Sequence, residues 1–128
     1  MSVLVDTSVW IRFLSNRAPY AAELDRLLSR DEVSGHMLIQ GELLMGDNGS
    51  RTALLRDYER LDMAPMAPHH EVLEFVRARG LHGRGLGWID AHLLAAALTG
   101  RLQLWTADRA LAACAEELGV NYEKNLGH

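Results

Sequence analysis

Residues 87–98 read GWIDAHLLAAAL, and residues 101–108 read RLQLWTAD. The first stretch is a helix that is apolar on nearly every side, with the carboxylate Asp90 at its head. The second alternates like a strand through Trp105 and reaches a second carboxylate, Asp108, behind Thr106. Leu111, Ala115 and Leu118 then resume a helical period. Helix, short strand, acid, helix is the repeating unit of an α/β layer fold. An unpartnered charge beside buried surface is costly, so Asp90 either caps its helix or faces something positive.

The same unit recurs toward the N-terminus. Residues 2–5 (SVLV) read as a buried strand followed at once by Asp6. Val9, Trp10, Phe13 and Leu14 continue at helical spacing. Pro19 suits the first turn of a second helix striped by Tyr20, Leu24, Leu27 and Leu28. Residues 32–36 read as a strand. Met37–Met45 is an apolar helix that contains Glu42 and closes at GDNGS. Leu54, Leu55 and Tyr58 mark another helix, and a short strand is expected before the MAPMAP break. Val72, Leu73 and Val76 mark the next helix. RARGLHGRGLG (77–87) is a basic, glycine-rich loop leading to the helix 88–98. Val120–Tyr122 is read as a last edge strand. The expected fold is α/β, a central mostly parallel sheet of about four or five short strands flanked by helices. Right-handed crossovers gather the carboxyl ends of such strands on one side, where open sheets bind ligands.

The 128 residues fit one domain, 1–128, and 48% apolar residues suffice for a core. No apolar run reaches the ~20 residues of a membrane span, and MSVLVDTSVW lacks the basic region of a signal peptide. The single cysteine, Cys114, excludes an internal disulfide and suits a reducing cytoplasm. The net charge of −4 argues against a generic nucleic-acid binder, unless the acids cluster around cations.

Asp6 and Asp108 fall at the carboxyl ends of strands, Asp90 at a helix start, and Glu42 inside an apolar helix. Each aspartate is also a suitable helix cap, a role worth ~1 kcal/mol, and for Glu42 the ordinary alternative is a partner arginine. If all four converge, they do not simply coexist. Two like charges ~4 Å apart repel by ~4 kcal/mol at an effective dielectric near 20. They take up protons or hold a cation, and an all-carboxylate set suits Mg²⁺ or Mn²⁺. The six histidines show no paired metal-binding spacing, and His92 is read as structural. Among the tryptophans, Trp10 and Trp105 fit the core, leaving Trp88 as the one to test for stacking on a base.

In this order and spacing, VDTSVW with Asp6, IQGELLMG with Glu42, GWIDAHLLAAAL with Asp90 and LWTADRAL with Thr106 and Asp108 give a chain that resembles PIN-domain proteins, in particular VapC-type toxin ribonucleases. The resemblance runs from Val3 to about Tyr122. It implies a parallel sheet flanked by helices and a Mg²⁺/Mn²⁺-dependent ribonuclease. It also implies a homodimer held inactive by a VapB-type antitoxin protein. Carried onto this chain, it makes Asp6, Glu42, Asp90 and Asp108 the metal-holding carboxylates, with Thr106 as a supporting hydroxyl. Family members often carry Ser or Thr ahead of the glutamate; here Ile39-Gln40-Gly41 precedes it.

The expected chemistry is attack of metal-activated water on an RNA phosphodiester, leaving a 5′-phosphate and a 3′-hydroxyl. Arg77, Arg79, His82 and Arg84 lie in the loop before Asp90 and are the nearest basic supply for the phosphate backbone; an ordinary solvated connector is the alternative. Two other functions share the pattern in part. A phosphoacceptor receiver domain also carries strand-end acids, but it uses adjacent early acids and a late lysine, and the only lysine here is Lys124. A catalytically silent binding module of the same fold would not need all four acids.

Overall fold

The computed structural model describes residues 2–123. Its sheet has four strands, all parallel, in the spatial order β3-β2-β1-β4. These are β1 (Val3–Val5), β2 (Val33–Gly35), β3 (Asp62–Met63) and β4 (Gln103–Trp105). The helices are α1 (Thr7–Leu14), α2 (Tyr20–Ser29), α3 (Met37–Met45), α4 (Thr52–Tyr58), α5 (His69–Arg79), α6 (Trp88–Gly100) and α7 (Arg109–Glu117). The α/β layer expected from the alternation is therefore the fold. Among the described residues no helix is long and apolar enough to cross a membrane.

The β1 strand is buried along its whole length because neighbours cover both edges and helices both faces. Every residue from Ala91 to Ala97 of α6 is buried as well. Small alanines let that helix lie deep against the sheet, and only its two ends emerge. Tyr58 packs over β2, where its hydroxyl accepts the His36 N–H at 2.8 Å. A side chain at Gly35 would meet Met63 and the Tyr58 ring at 2.9–3.2 Å, so this strand position takes glycine.

Two boundaries differ from expectation. The strand expected over 101–105 begins only at Gln103. Arg101 turns left-handed (φ 54°) to close α6, and the Leu102 N–H reaches back to the Ala97 carbonyl at 2.8 Å. The strand expected at Val120–Tyr122 is reduced to a single bridge between Leu104 and Asn121. Lys124, which bore on the receiver-domain alternative, lies outside the described residues.

The chain order decides where a site forms. From β1 the chain steps outward through β2 to β3, then returns to place β4 on the other side of β1. The strand order thus reverses between β1 and β4. In open parallel sheets the crevice outside the carboxyl ends at such a reversal is where ligands bind. The register pairs Val5 with Trp105, so the next residues on each strand, Asp6 and Thr106, face one another across that crevice.

Candidate active site

Asp6 occupies the position that would cap α1, yet its side chain makes no capping bond. It is buried, with 7% of its surface exposed. Its Oδ2 accepts the Ser8 hydroxyl at 2.7 Å and the Thr106 hydroxyl at 2.8 Å. The Asp6 N–H extends the β1–β4 ladder to the Trp105 carbonyl at 2.9 Å. Ser8 Oγ in turn accepts the Ala107 N–H at 3.0 Å, and Thr106 Oγ1 accepts the Asp108 N–H at 3.0 Å. Two hydroxyls therefore tie the end of β1 to the β4–α7 turn and hold one carboxylate oxygen between them.

Asp108 does cap its helix: Oδ1 accepts the Leu111 N–H at 2.9 Å at the start of α7. Asp90 sits in the third position of α6, and its Oδ2 accepts the Gly87 N–H at 2.8 Å. Gly87 has no side chain to return the bond, so this is half of a capping box. Both capping readings are thus real, and neither exhausts the residue. Burial pushes the Asp90 carboxyl above its ordinary acidity, the Gly87 bond opposes this, and the charges of Asp6 and Asp108 push it higher still. Asp6, Asp90 and Asp108 therefore share one electrostatic field.

Glu42 reaches the Thr7 hydroxyl with Oε1 at 2.6 Å. No arginine partners it, so the ion-pair alternative does not apply. This hydroxyl comes from the first turn of α1 and not from the residues just ahead of Glu42. Asp6-Thr7-Ser8 is consequently a hub: the carboxylate faces the crevice, and its two neighbours hold Glu42 and Asp6 in place. Thr7 and Ser8 escaped the sequence reading because a hydroxyl after a strand is ordinary until its long-range partner is known.

Each of the four carboxylates commits one oxygen to a protein donor. The second oxygens, Asp6 Oδ1, Glu42 Oε2, Asp90 Oδ1 and Asp108 Oδ2, accept no hydrogen bond, and none of the four residues is in an ion pair among the described residues. This donor set is all oxygen and uncompensated in charge, which fits a hard divalent cation. Among the described residues no three acids, histidines or cysteines form a ready-made cage. Mg²⁺ rarely uses one; it keeps several waters and binds through one or two carboxylates.

The basic supply expected in the loop before α6 is divided: the helix α5 runs on through Arg79, so Arg77 and Arg79 lie in its last turn and only His82 and Arg84 in the loop. Arg84 forms a bidentate pair with Glu117 at 2.7 and 3.0 Å, which clamps the loop to α7. Arg77, Arg79 and His82 are exposed and have no acidic partner among the described residues. His92 is buried, as is His36, whose ring is pushed down to about 4 by burial and the facing His92. Both are structural rather than ligands in the crevice. Glu23 of α2 is buried and bound to Arg26 and to the Tyr122 hydroxyl. Trp10 and Trp105 are buried, whereas Trp88 is 40% exposed.

The PIN-domain family model matches residues 3–117. Ribonuclease VapC32 of Mycobacterium tuberculosis, from strain CDC 1551 / Oshkosh and from strain ATCC 25618 / H37Rv, is 45% identical over 119 residues, covering 92% of this chain and 94% of the relative. Among solved structures, PAE2754 from Pyrobaculum aerophilum aligns with a TM-score of 0.57 over 88% of this chain and 78% of that one, at 23% identity, which is a likeness of fold.

Proposed function

The chain belongs to the PIN-domain family, and on that premise we propose that it is a Mg²⁺- or Mn²⁺-dependent endoribonuclease, the toxin of a VapBC-type toxin–antitoxin pair. The observation that carries this reading is the shared field of Asp6, Asp90 and Asp108 at the strand-order reversal, with no ion pair to any of the three among the described residues. The name of the M. tuberculosis relatives supports RNA as the substrate.

In this mechanism Asp6, Asp90 and Asp108 hold the cation, directly or through water, and Glu42 assists from α3. A divalent cation bound there supplies a water of lowered pKa and neutralises charge on the phosphodiester. Ser8 and Thr106 fix one oxygen of Asp6 and leave the other for ligation. Thr7 does the same for Glu42. In-line attack leaves a 5′-phosphate and a 3′-hydroxyl. Arg77, Arg79 and His82 approach the RNA backbone, while Arg84 joins them only by exchanging Glu117 for a phosphate.

The protein partners belong to the same proposal. Met37, Leu44 and Met45 of α3 are 56%, 59% and 87% exposed. Clustered exposed apolar side chains are the mark of a protein interface, which supports a VapB-type antitoxin and a homodimer as occupants. A cytoplasmic site of action is consistent with the lone, buried Cys114.

The test is cleavage of a mixed RNA pool with Mg²⁺, with Mn²⁺ and with chelator, mapping the ends formed. Metal-dependent cuts bearing 5′-phosphates are expected. Equal cleavage in chelator, or none with either metal, would overturn the proposal.

A further inference from the structure

The first turn of α6 carries a second feature beside Asp90. Val76, Leu81, Leu86 and Ala91 form the apolar wall of an open cavity of about 270 Å³, with Trp88 and His82 completing it. Gly87 also lines this cavity, and its N–H is the one that binds Asp90. The cavity and the carboxylate crevice therefore share a wall, separated by a single helical turn.

Trp88 is held but not covered. The His69 ring lies 5.0 Å from the indole and the His92 ring 5.2 Å, nearly perpendicular to it. Neither imidazole lines the cavity, whereas Trp88 does. The ring keeps 40% of its surface exposed, against 1% for Trp10 and 4% for Trp105. A fixed, half-open aromatic ring is a stacking platform, because every base presents a flat π-face to it. The volume lies below the ~300–1,000 Å³ of sites for drug-sized ligands, which suits one flat base rather than a folded segment. Exposed Arg77 and Arg79 flank the approach along the chain and match a ligand joined to phosphates.

We propose that this cavity takes one unpaired base of the substrate RNA, stacked on Trp88, and so sets which nucleotide sits next to the cut. This rests on RNA being the substrate, as proposed above. Trp88 would act as a specificity-determining residue and not as a catalytic one.

The test uses the full chain and four single-stranded RNA homodecamers of A, C, G and U, titrated in chelator so that nothing is cut. Indole fluorescence should be quenched on binding in the wild type and not in Trp88→Phe, since Trp10 and Trp105 are buried. Trp88→Ala should weaken binding roughly tenfold, more for some bases than others, and Trp88→Phe should restore most of it. With Mn²⁺ present, Trp88→Ala should raise KM more than it lowers kcat. Melting curves of both variants keep a folding defect separate, and Trp88→Phe carries the test if Trp88→Ala unfolds. Binding by Trp88→Ala within twofold of wild type for all four decamers, or quenching that persists in Trp88→Phe, would overturn the assignment. Trp88-dependent binding without any metal-dependent cleavage by the wild type would leave the base site standing and overturn the nuclease reading instead.

Discussion

Asp6 and Asp108 occupy equivalent places in the chain. Each follows a strand of the sheet, and each stands at the position that caps the next helix. Asp108 is exposed and makes the cap, accepting the Leu111 N–H. Asp6 is buried and makes none; the hydroxyls of Ser8 in α1 and of Thr106 after β4 hold its Oδ2 instead. The same local pattern thus serves local structure at one site and is withheld from it at the other. In the proposed mechanism the charge of this buried, uncapped carboxylate is what a divalent cation would use.

Removing the two charges should separate these roles most sharply. Asp6→Asn should abolish metal-dependent cleavage, a loss of at least ~100-fold if the charge holds the cation, with little loss of stability because no cap is broken. Asp108→Ala should lower activity as well and additionally cost about 1 kcal/mol of stability through the lost cap. Urea unfolding alongside a cleavage assay reads both. An Asp6→Asn variant that cleaves like the wild type would erase the distinction.

The hydroxyl scaffold is the next largest effect. Ser8→Ala or Thr106→Val leaves every carboxylate in place but removes one of the two hydroxyls that hold Oδ2 of Asp6. Supporting groups of this kind are worth roughly 10–100-fold in metal affinity or activity. Apparent Mn²⁺ affinity should weaken by that order while the far-ultraviolet circular dichroism stays unchanged.

Asp90 gives a pH-dependent consequence. Its carboxyl is raised above the ordinary value by burial and by the facing acids. A raised acid binds its proton more tightly in the folded chain than in the unfolded one. Its ionisation therefore destabilises the fold once pH exceeds the folded value, and the cost vanishes below the unfolded carboxylate value of about 3.9. Asp90→Asn should melt higher than wild type at neutral pH in chelator, and the advantage should disappear as pH falls through the carboxylate range. An advantage independent of pH would locate the effect in helix capping.

The smallest effect belongs to the loop clamp. Arg84 and Glu117 are solvent-screened, so Arg84→Ala should change stability little in urea unfolding, while Arg79→Ala should flatten the salt dependence of RNA binding.

Much of this architecture was legible in the sequence because its signals are local. The run from Ala91 to Ala97, the SVLV strand and the acids behind strands each follow from periodicity and position. The edge strand at Val120–Tyr122 was over-read, since an apolar alternation does not reveal that only Asn121 would find a bridge. The start of β4 moved because the left-handed turn at Arg101 depends on how α6 closes. Thr7, Ser8 and the Arg84–Glu117 pair were illegible for one shared reason. Their partners lie 33 to 99 residues away, and no residue type announces a partner at that distance.

The central claim, that Asp6, Asp90 and Asp108 form one field awaiting a divalent ion, is tested most directly by melting the protein against Mn²⁺. The wild type should gain about 2.7 kcal/mol at 100-fold excess over Kd, and Asp6→Asn should gain almost nothing. A wild-type melting curve that ignores Mn²⁺, or an equal gain in both proteins, would contradict it.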